Sequence, residues 1–172
     1  MAAHIIEKGK HYDTDLFSSF PHLFQKEFKK DIQFCANCDY DIGSYHQQDN
    51  NKLFGACFGL RSAHYNSARF GWWWDVATEE MVLTAYCYDK GKRNSDAQLL
   101  FPEVARLKLK ENYSCLIRVT PTDYVFHVTQ GDYTIGQVVT IPHSKLSFFG
   151  WTLSLFWGGE TVAPKVFHVF IN

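Results

Sequence analysis

The sequence predicts an all-β fold in which antiparallel strands form a two-sheet jelly-roll β-sandwich. Short apolar or alternating runs, rich in aromatic and branched residues, are separated by Gly, Asp, Asn and Pro clusters at a spacing typical of a sandwich. Turn sequences at 89–93, 121–123 and 130–132 favour antiparallel hairpins. We therefore expect two packed sheets, with a late strand returning to a place far from its neighbours in the sequence.

Nine segments have the pattern of strands. In chain order they are Ile32–Tyr40, Leu53–Leu60, Ala68–Trp74, Met81–Tyr88, Tyr113–Thr120, Tyr124–Thr129, Ile135–Ile141, Leu153–Trp157 and Val166–Ile171. Two further segments, 16–30 and 96–110, have partly helical spacing. Pro21 limits the first to a short turn of helix starting near that residue, and Pro102 interrupts the second, which suits a strand as well as a helix.

The composition indicates one folded domain spanning residues 1–172. An aromatic fraction of 17% is much higher than in disordered chains. The net charge of −1 favours neither a nucleic acid nor an anionic membrane as partner. The N-terminus lacks the pattern of a signal peptide and no stretch is long and apolar enough to span a bilayer, so we expect a soluble protein and leave its location open.

The five cysteines, Cys35, Cys38, Cys57, Cys87 and Cys115, are expected to be buried free thiols. Cys35 and Cys38 form a CxxC motif, but no second CxxC or closely spaced histidine pair completes a zinc site. Side chains three residues apart in a strand point to opposite faces. We therefore interpret these two cysteines as structural.

A ligand site is predicted from the segment 51–75, NKLFGACFGLRSAHYNSARFGWWWD. It combines three tryptophans with imidazole, amide and guanidinium groups, a mixture typical of sites that stack on sugar rings and bond to their hydroxyls or carboxylates. Strand alternation puts Arg69 and Trp73 on one face, and Phe70, Trp72 and Trp74 on the other, which favours the core. A one-residue bulge would exchange the two faces.

Two neighbouring strands add to this face. In 81–88, Val82, Thr84, Tyr86 and Tyr88 share one side and form a candidate ligand surface. In 51–60, alternation predicts an apolar face of Phe54, Ala56, Phe58 and Leu60, opposite a face of Leu53, Gly55, Cys57 and Gly59 whose small residues leave room for a ligand. The predicted ligand-binding residues are Lys52, His64, Asn66, Arg69, Trp73, Tyr86 and Tyr88.

Other roles remain open for some of these residues. Arg69 could pair with Asp75 or stack on Trp73 as readily as it contacts a ligand. His64 and Asn66 could serve only as turn residues.

The C-terminal segment 150–172, GWTLSLFWGGETVAPKVFHVFIN, resembles the closing strands of concanavalin A-like jelly-roll proteins, a superfamily that includes lectins, glucanases and polysaccharide lyases. The matching residues are Phe156, Gly158, Gly159, Ala163 and Pro164. The run 51–72 is similar to one in small jelly-roll proteins of unassigned function. Together these segments cover roughly a quarter of the chain and imply the concanavalin A-like fold more strongly than any activity.

The leading functional hypothesis is a carbohydrate-binding protein of the lectin or binding-module kind, with a glycan as partner and an undetermined oligomeric state. The alternative is a polysaccharide lyase acting on a uronate-containing glycan. In that case Arg69 or Asn66 would stabilise charge, and His64, Tyr86 or Tyr88 would move protons. A protein-interaction module is the third hypothesis. A glycosidase is disfavoured because no alternating acidic motif supplies two carboxyl groups on one strand.

No cofactor or metal site is predicted. Asp39, Asp41, Asp49 and Asn50 could supply oxygens to a structural calcium ion, but they show no ligand spacing and are ordinary turn formers. The scattered histidines His127, His143 and His168 are interpreted as satisfied or exposed side chains rather than metal ligands.

Overall fold

A computed structural model describes residues 2–13, 19–43, 45–94 and 101–172, and over these ranges it consists of two antiparallel sheets of seven strands each. The first sheet contains β1 (Ala2–Ile6), β3 (Glu27–Phe34), β9 (Tyr113–Val119), β10 (Asp123–Gln130), β11 (Tyr133–Thr134), β12 (Val139–Pro142) and β14 (Phe167–Ile171). The second sheet contains β2 (Pro21–Leu23), β4 (Asn51–Phe58), β5 (Ser67–Asp75), β6 (Glu80–Asp89), β7 (Lys92–Arg93), β8 (Glu103–Leu107) and β13 (Phe149–Leu153). Two short 3₁₀ helices span Ala36–Cys38 and Tyr45–Gln48.

The strand order shows the jelly-roll topology. The first sheet runs β1–β14–β3–β9–β10–β11, with β12 also paired to β10, and the second runs β2–β13–β4–β5–β6–β7, with β8 also paired to β6. The last strand, β14, lies between β1 and β3, and β13 lies between β2 and β4. The late strands therefore return to the start of the chain, as the sequence predicts for an antiparallel two-sheet sandwich.

The core lies between the sheets and is rich in aromatic rings. Trp72 of β5 is fully buried and contacts the rings of Phe34, Trp157 and Phe167 at centroid distances of 5.4, 5.8 and 5.9 Å. Trp74 is also buried. The assignment of Trp72 and Trp74 to the core is confirmed, and the other face of β5 is left for Arg69 and Trp73.

The predicted turn of helix near Pro21 is wrong. Residues 21–23 form the edge strand β2, which pairs with Phe149–Trp151 of β13, and Phe24 then turns the chain with a φ of 54°. An edge strand tolerates proline because one side of its backbone needs no ladder partner. Pairing with a distant strand overrides the helical spacing of the local sequence. In the segment 96–110 the strand alternative holds, since 103–107 form β8.

Several predicted strand boundaries also shift. The strand predicted at Ile32–Tyr40 begins earlier, at Glu27, and ends at Phe34, where the 3₁₀ helix at 36–38 follows. The strand predicted at Leu153–Trp157 instead spans Phe149–Leu153. Of the strand predicted at Ile135–Ile141, only residues 139–141 lie in a strand, β12, which follows the short strand β11. The N-terminal strand β1 was not predicted.

The CxxC motif lies at the first 3₁₀ helix. Cys35 is half-buried, whereas Cys38 is fully buried and its thiol donates a hydrogen bond to the carbonyl oxygen of His168. Burial raises the pKa of Cys38 to about 12. Cys57, Cys87 and Cys115 are buried as expected. These thiols pack as small apolar groups and are poor nucleophiles at neutral pH.

The buried side chain of His22 makes the fold sensitive to acid. Its ring lies between Phe28 and Phe58, and its Nε2 bonds to the carbonyl oxygen of Cys57 at 3.0 Å. Its Nδ1 is buried with no hydrogen-bond partner among the described residues. Burial lowers the pKa of His22, despite the opposing effect of the bond to Cys57. The folded protein therefore resists protonation of this ring more than the unfolded chain does.

We expect the free energy of unfolding to fall as the pH drops below about 6.5, where histidine in the unfolded chain takes up a proton. The measurement is denaturant unfolding at about pH 7.5 and about pH 5.5 for the wild type and His22→Gln, whose amide can still donate to Cys57. The variant should lose less stability between the two pH values. Equal losses would show that His22 does not cause the sensitivity.

Within the described residues, no helix is long and apolar enough to cross a membrane.

Candidate functional site

An irregularity in β4 determines which side chains lie on the outer face of the second sheet, the face turned away from the core. Lys52 pairs with Gly71 of β5, but the next aligned pair is Gly55 with Arg69, so the register shifts between Lys52 and Gly55. Leu53 and Phe54 both join the core at this point. A bulge of this kind re-aims the side chains on either side of it.

The bulge corrects one prediction. Strict alternation assigned Leu53 to the sparse face together with Gly55, but Leu53 is fully buried in the core. The same alternation would have put Lys52 on the core side with Phe54. The bulge instead places Lys52 on the outer face, where Arg69 of the neighbouring strand also lies.

Five of the predicted site residues lie together on or beside this face. Arg69 is directly opposite Tyr86, and the ammonium group of Lys52 lies 4.8 Å from the centre of the Tyr86 ring. The hydroxyl groups of Tyr86 and Tyr88 are 3.4 Å apart. The exposed imidazole of His64 stacks on Tyr88, with ring centres 5.1 Å apart and an interplanar angle of 25°. These five side chains thus bring two cationic groups close to two phenol rings and one imidazole ring.

Lys52 is held in a largely apolar setting. Its side chain is buried, and its ammonium group also faces the ring of Phe156 at 5.6 Å. A side chain at Gly158 would collide with that ammonium group, so the glycine leaves room for it. Burial lowers the pKa of Lys52 to about 8, helped by the positive charge of Arg69 and opposed by Asp49. The lysine is still mainly protonated at neutral pH.

Arg69 is also incompletely paired. Its Nη2 donates a hydrogen bond to the carbonyl oxygen of Ser154 at 2.5 Å, whereas its buried Nε has no partner among the described residues. The suggested pairing with Asp75 is wrong, because that carboxylate bonds to Arg106 at 2.8 Å. Burial lowers the pKa of Arg69, but a guanidinium stays charged at neutral pH.

The two tyrosines differ in exposure. Tyr86 is buried beneath Phe101, whose ring centre lies 4.5 Å away, and Tyr88 is half-buried. Burial raises the pKa of Tyr86, and its neighbour Tyr88 raises it further. Tyr86 is therefore neutral at physiological pH, and Tyr88 is the more accessible of the two rings.

Two predicted site residues lie apart from this group. Asn66 is buried in the turn before β5, and its side-chain oxygen accepts a hydrogen bond from the backbone N–H of Lys90. Trp73 shares the face of Arg69 but lies four residues along the strand, about 13 Å away. The structure gives Asn66 the turn role that the sequence left open.

Trp151, an exposed aromatic residue on the outer face, was not predicted as a site residue from the sequence. Trp151 pairs with Cys57, which pairs with Ser67, which pairs with Tyr88. Cys57 and Ser67 are small and buried, whereas the Trp151 side chain is 42% exposed. Trp151 and Tyr88 thus stand at the two ends of this row, three strand spacings or about 14 Å apart, and the hydroxyl of Ser67 between them donates a hydrogen bond to the carbonyl oxygen of Ala63 in the loop before β5. We call this row of four residues the aromatic trough.

Trp151 was missed because the predicted strand began at Leu153, four residues after β13 begins at Phe149. The alternation of Phe149 and Trp151 about Gly150 was the available signal. Phe149 contacts Trp151 with ring centres 5.9 Å apart. It also lines an open cavity of about 550 Å³ whose other walls include Tyr65 and Phe148. This cavity therefore lies beside the Trp151 end of the row.

The side chains considered for calcium are bonded to different partners. Asp39 pairs with Lys165, Asp41 accepts a hydrogen bond from the N–H of Gly43, and Asp49 pairs with His46. The side-chain oxygen of Asn50 accepts a hydrogen bond from Thr84. In the described part of the chain, no three His, Cys, Asp or Glu residues come close enough together to hold a metal ion.

Comparison with known proteins supports the fold. Neither a protein-family model nor a curated protein matches the chain. An alginate lyase from Klebsiella pneumoniae is similar in structure, with a TM-score of 0.59 at 10% identity, over 85% of this chain and 57% of the lyase. The chain therefore corresponds to little more than half of that enzyme. The likeness shows the fold alone, an antiparallel two-sheet jelly roll of the kind that the sequence predicts.

Two further solved structures are similar to the chain at lower TM-scores. One is the CBM2 module of the evolved Dit of Lactobacillus casei BL23 phage J-1, with a TM-score of 0.47 at 13% identity, over 90% of this chain and 69% of the other. The second is a xylan β-1,4-xylosidase from Bacillus halodurans C-125, with a TM-score of 0.46 at 9% identity, over 95% of this chain and 28% of the other.

Proposed function

We propose that the protein binds a carbohydrate in the aromatic trough of the second sheet. The observation that carries this proposal is the row Trp151, Cys57, Ser67 and Tyr88, in which two aromatic side chains flank two small buried ones. Aromatic faces pack against the apolar faces of sugar rings, so the two exposed or half-buried rings of this row suit such contacts.

Polar groups beside the trough suit the rim of a sugar site. The exposed imidazole of His64 stacks on Tyr88, and Arg93 of β7 pairs with Tyr88 across the strands. These groups can exchange hydrogen bonds with ring hydroxyls. The solved alginate lyase that shares this fold is named for an activity on a carbohydrate, which agrees with this proposal.

A polysaccharide lyase is the second candidate, and one arrangement favours it. Arg69 lies directly opposite Tyr86, whose hydroxyl is 3.4 Å from that of Tyr88. A lyase needs a cation to stabilise charge on the uronate carboxylate and a neighbouring group to move the C5 proton. Arg69 would serve the first role, and Tyr88 or His64 the second.

The test is a panel of neutral and uronate-containing polysaccharides, measured by affinity electrophoresis and by the absorbance of the unsaturated uronate that a lyase produces. Retardation without new absorbance is the expected result for a binding protein. Growing absorbance that disappears in Tyr88→Phe, with binding retained, would make the protein a lyase. If no polysaccharide in the panel is bound or cleaved, the proposal is overturned and a protein partner becomes the leading hypothesis.

A further inference from the structure

The outer face of the second sheet holds two cationic side chains, Lys52 and Arg69, that form no ion pair with any residue the structure describes. The Lys52 side chain is only 9% exposed, and its ammonium group has no hydrogen-bond or ion-pair partner among the described residues. Within the described ranges, Arg69 hydrogen-bonds only to the carbonyl oxygen of Ser154, and its buried Nε has no partner. Removing charged groups from water without a partner of opposite charge is unfavourable.

The two cations are close neighbours. Lys52 pairs with Gly71, which is two residues from Arg69 on the same face of β5. Lys52 and Arg69 are therefore diagonal neighbours, a relation that separates residues by about 7–8 Å across a sheet. The positive charge of Arg69 lowers the pKa of Lys52, and that of Arg93 acts in the same direction. Asp49 is the acidic group that acts on Lys52, but its carboxylate bonds to His46 at 2.9 Å.

The local backbone preserves this arrangement. The bulge after Lys52 turns its side chain away from the core, and Gly158 leaves space for the ammonium group. The rings of Tyr86 and Phe156 confine it from two sides. Two adjacent cations in an apolar setting provide strong donors to an oxyanion, because charge-assisted hydrogen bonds strengthen where water is excluded.

We propose that Lys52 and Arg69 form a pocket for one oxyanion group of the bound glycan, either a carboxylate or a sulfate ester. This inference rests on the proposed carbohydrate binding and adds the class of sugar, an acidic one. The pocket lies next to the aromatic trough, since Arg69 is two residues from Ser67 and Tyr86 two residues from Tyr88 on adjoining strands. A ring held in the trough can therefore present its anionic substituent to the two cations.

The experiment compares polymers that differ only in charge. Polygalacturonate is measured against its carboxyl-reduced form, and dextran sulfate against dextran, so that a carboxylate and a sulfate ester are separate arms. The variant is Lys52→Met, and the matched control is Lys92→Met, which removes the same charge from the exposed strand β7. We expect Lys52→Met to reduce the preference for the charged polymer by about tenfold or more. The control variant Lys92→Met should keep the wild-type preference for the charged polymer.

The two proposals fail in different ways. If the wild type binds charged and neutral forms equally, or Lys52→Met keeps the preference, the oxyanion pocket is overturned while carbohydrate binding stands. If no polymer is retained, the proposed function loses its support, and the pocket is tested alone by titrating sodium sulfate into the ¹⁵N-labelled protein. Saturable shifts of the amide signals of Lys52, Arg69 and Tyr86, absent in Lys52→Met, support the pocket, and their absence overturns it.

The pH dependence provides an independent test. Because the pKa of Lys52 is about 8, the ammonium group loses its proton as the pH rises through that value. Affinity for the charged polymer should fall above about pH 8 and that for its neutral counterpart should not. An equal response of both polymers would contradict a role for Lys52.

Discussion

Replacing Trp72 by alanine is expected to destabilise the fold by about 3–5 kcal/mol, the range for truncating a buried aromatic residue. Trp72 is fully buried between the sheets and contacts the rings of Phe34, Trp157 and Phe167. The protein cannot refill a space of that size without moving several rings. Chemical denaturation at a fixed pH measures the change in the free energy of unfolding.

The neighbouring tryptophan is the matched control. Trp73 follows directly in β5, points to the outer face and is half-buried. Trp73→Ala should destabilise much less than Trp72→Ala, because less buried surface is lost. Equal losses, or a larger loss at Trp73, would mean that β5 presents the opposite face to the core, and the placement of Arg69 on the outer face would then be wrong.

Removing Trp151 is expected to have the largest effect on carbohydrate affinity. Trp151→Ala removes one wall of the aromatic trough, and aromatic anchors of this kind contribute about 2 kcal/mol or more, roughly thirtyfold in Kd. Because Trp151 is 42% exposed on a strand near the sheet edge, the variant should fold as the wild type does. Isothermal titration with a polysaccharide retained in the panel measures the loss.

Tyr133→Ala is the control for this loss. Tyr133 is 78% exposed and lies on β11 of the first sheet, away from the trough. Its removal should leave the affinity unchanged. If Trp151→Ala binds as tightly as Tyr133→Ala, the trough does not hold the sugar.

Much of the fold could be predicted because the alternation in β5 and β6 is regular. The division of Phe70, Trp72 and Trp74 from Arg69 and Trp73 follows directly from the period of a strand. The same period placed Tyr86 and Tyr88 on one face. These two strands pair with each other without interruption along their length. Each side chain therefore lies on the face of the sheet that strand alternation predicts.

The remainder depends on contacts that local sequence does not encode. The bulge after Lys52 changes the face of that residue, and nothing in the letters around it marks the shift. The turn of helix near Pro21 was favoured by spacing, but β13 recruits those residues as an edge strand. Trp151 was missed for the related reason that the bounds of β13 are set by its pairing with β4. The bulge and the bounds of β13 determine which side chains form the candidate site, and neither could be predicted from the local sequence.

The most direct test of the central claim is a crystal structure of the protein with an oligosaccharide cut from a polysaccharide that it binds. We predict a sugar ring between Trp151 and Tyr88, with any anionic substituent directed at Lys52 and Arg69. A sugar bound instead on the first sheet, or in the cleft between the sheets lined by Phe28, Leu53 and Leu155, would contradict it.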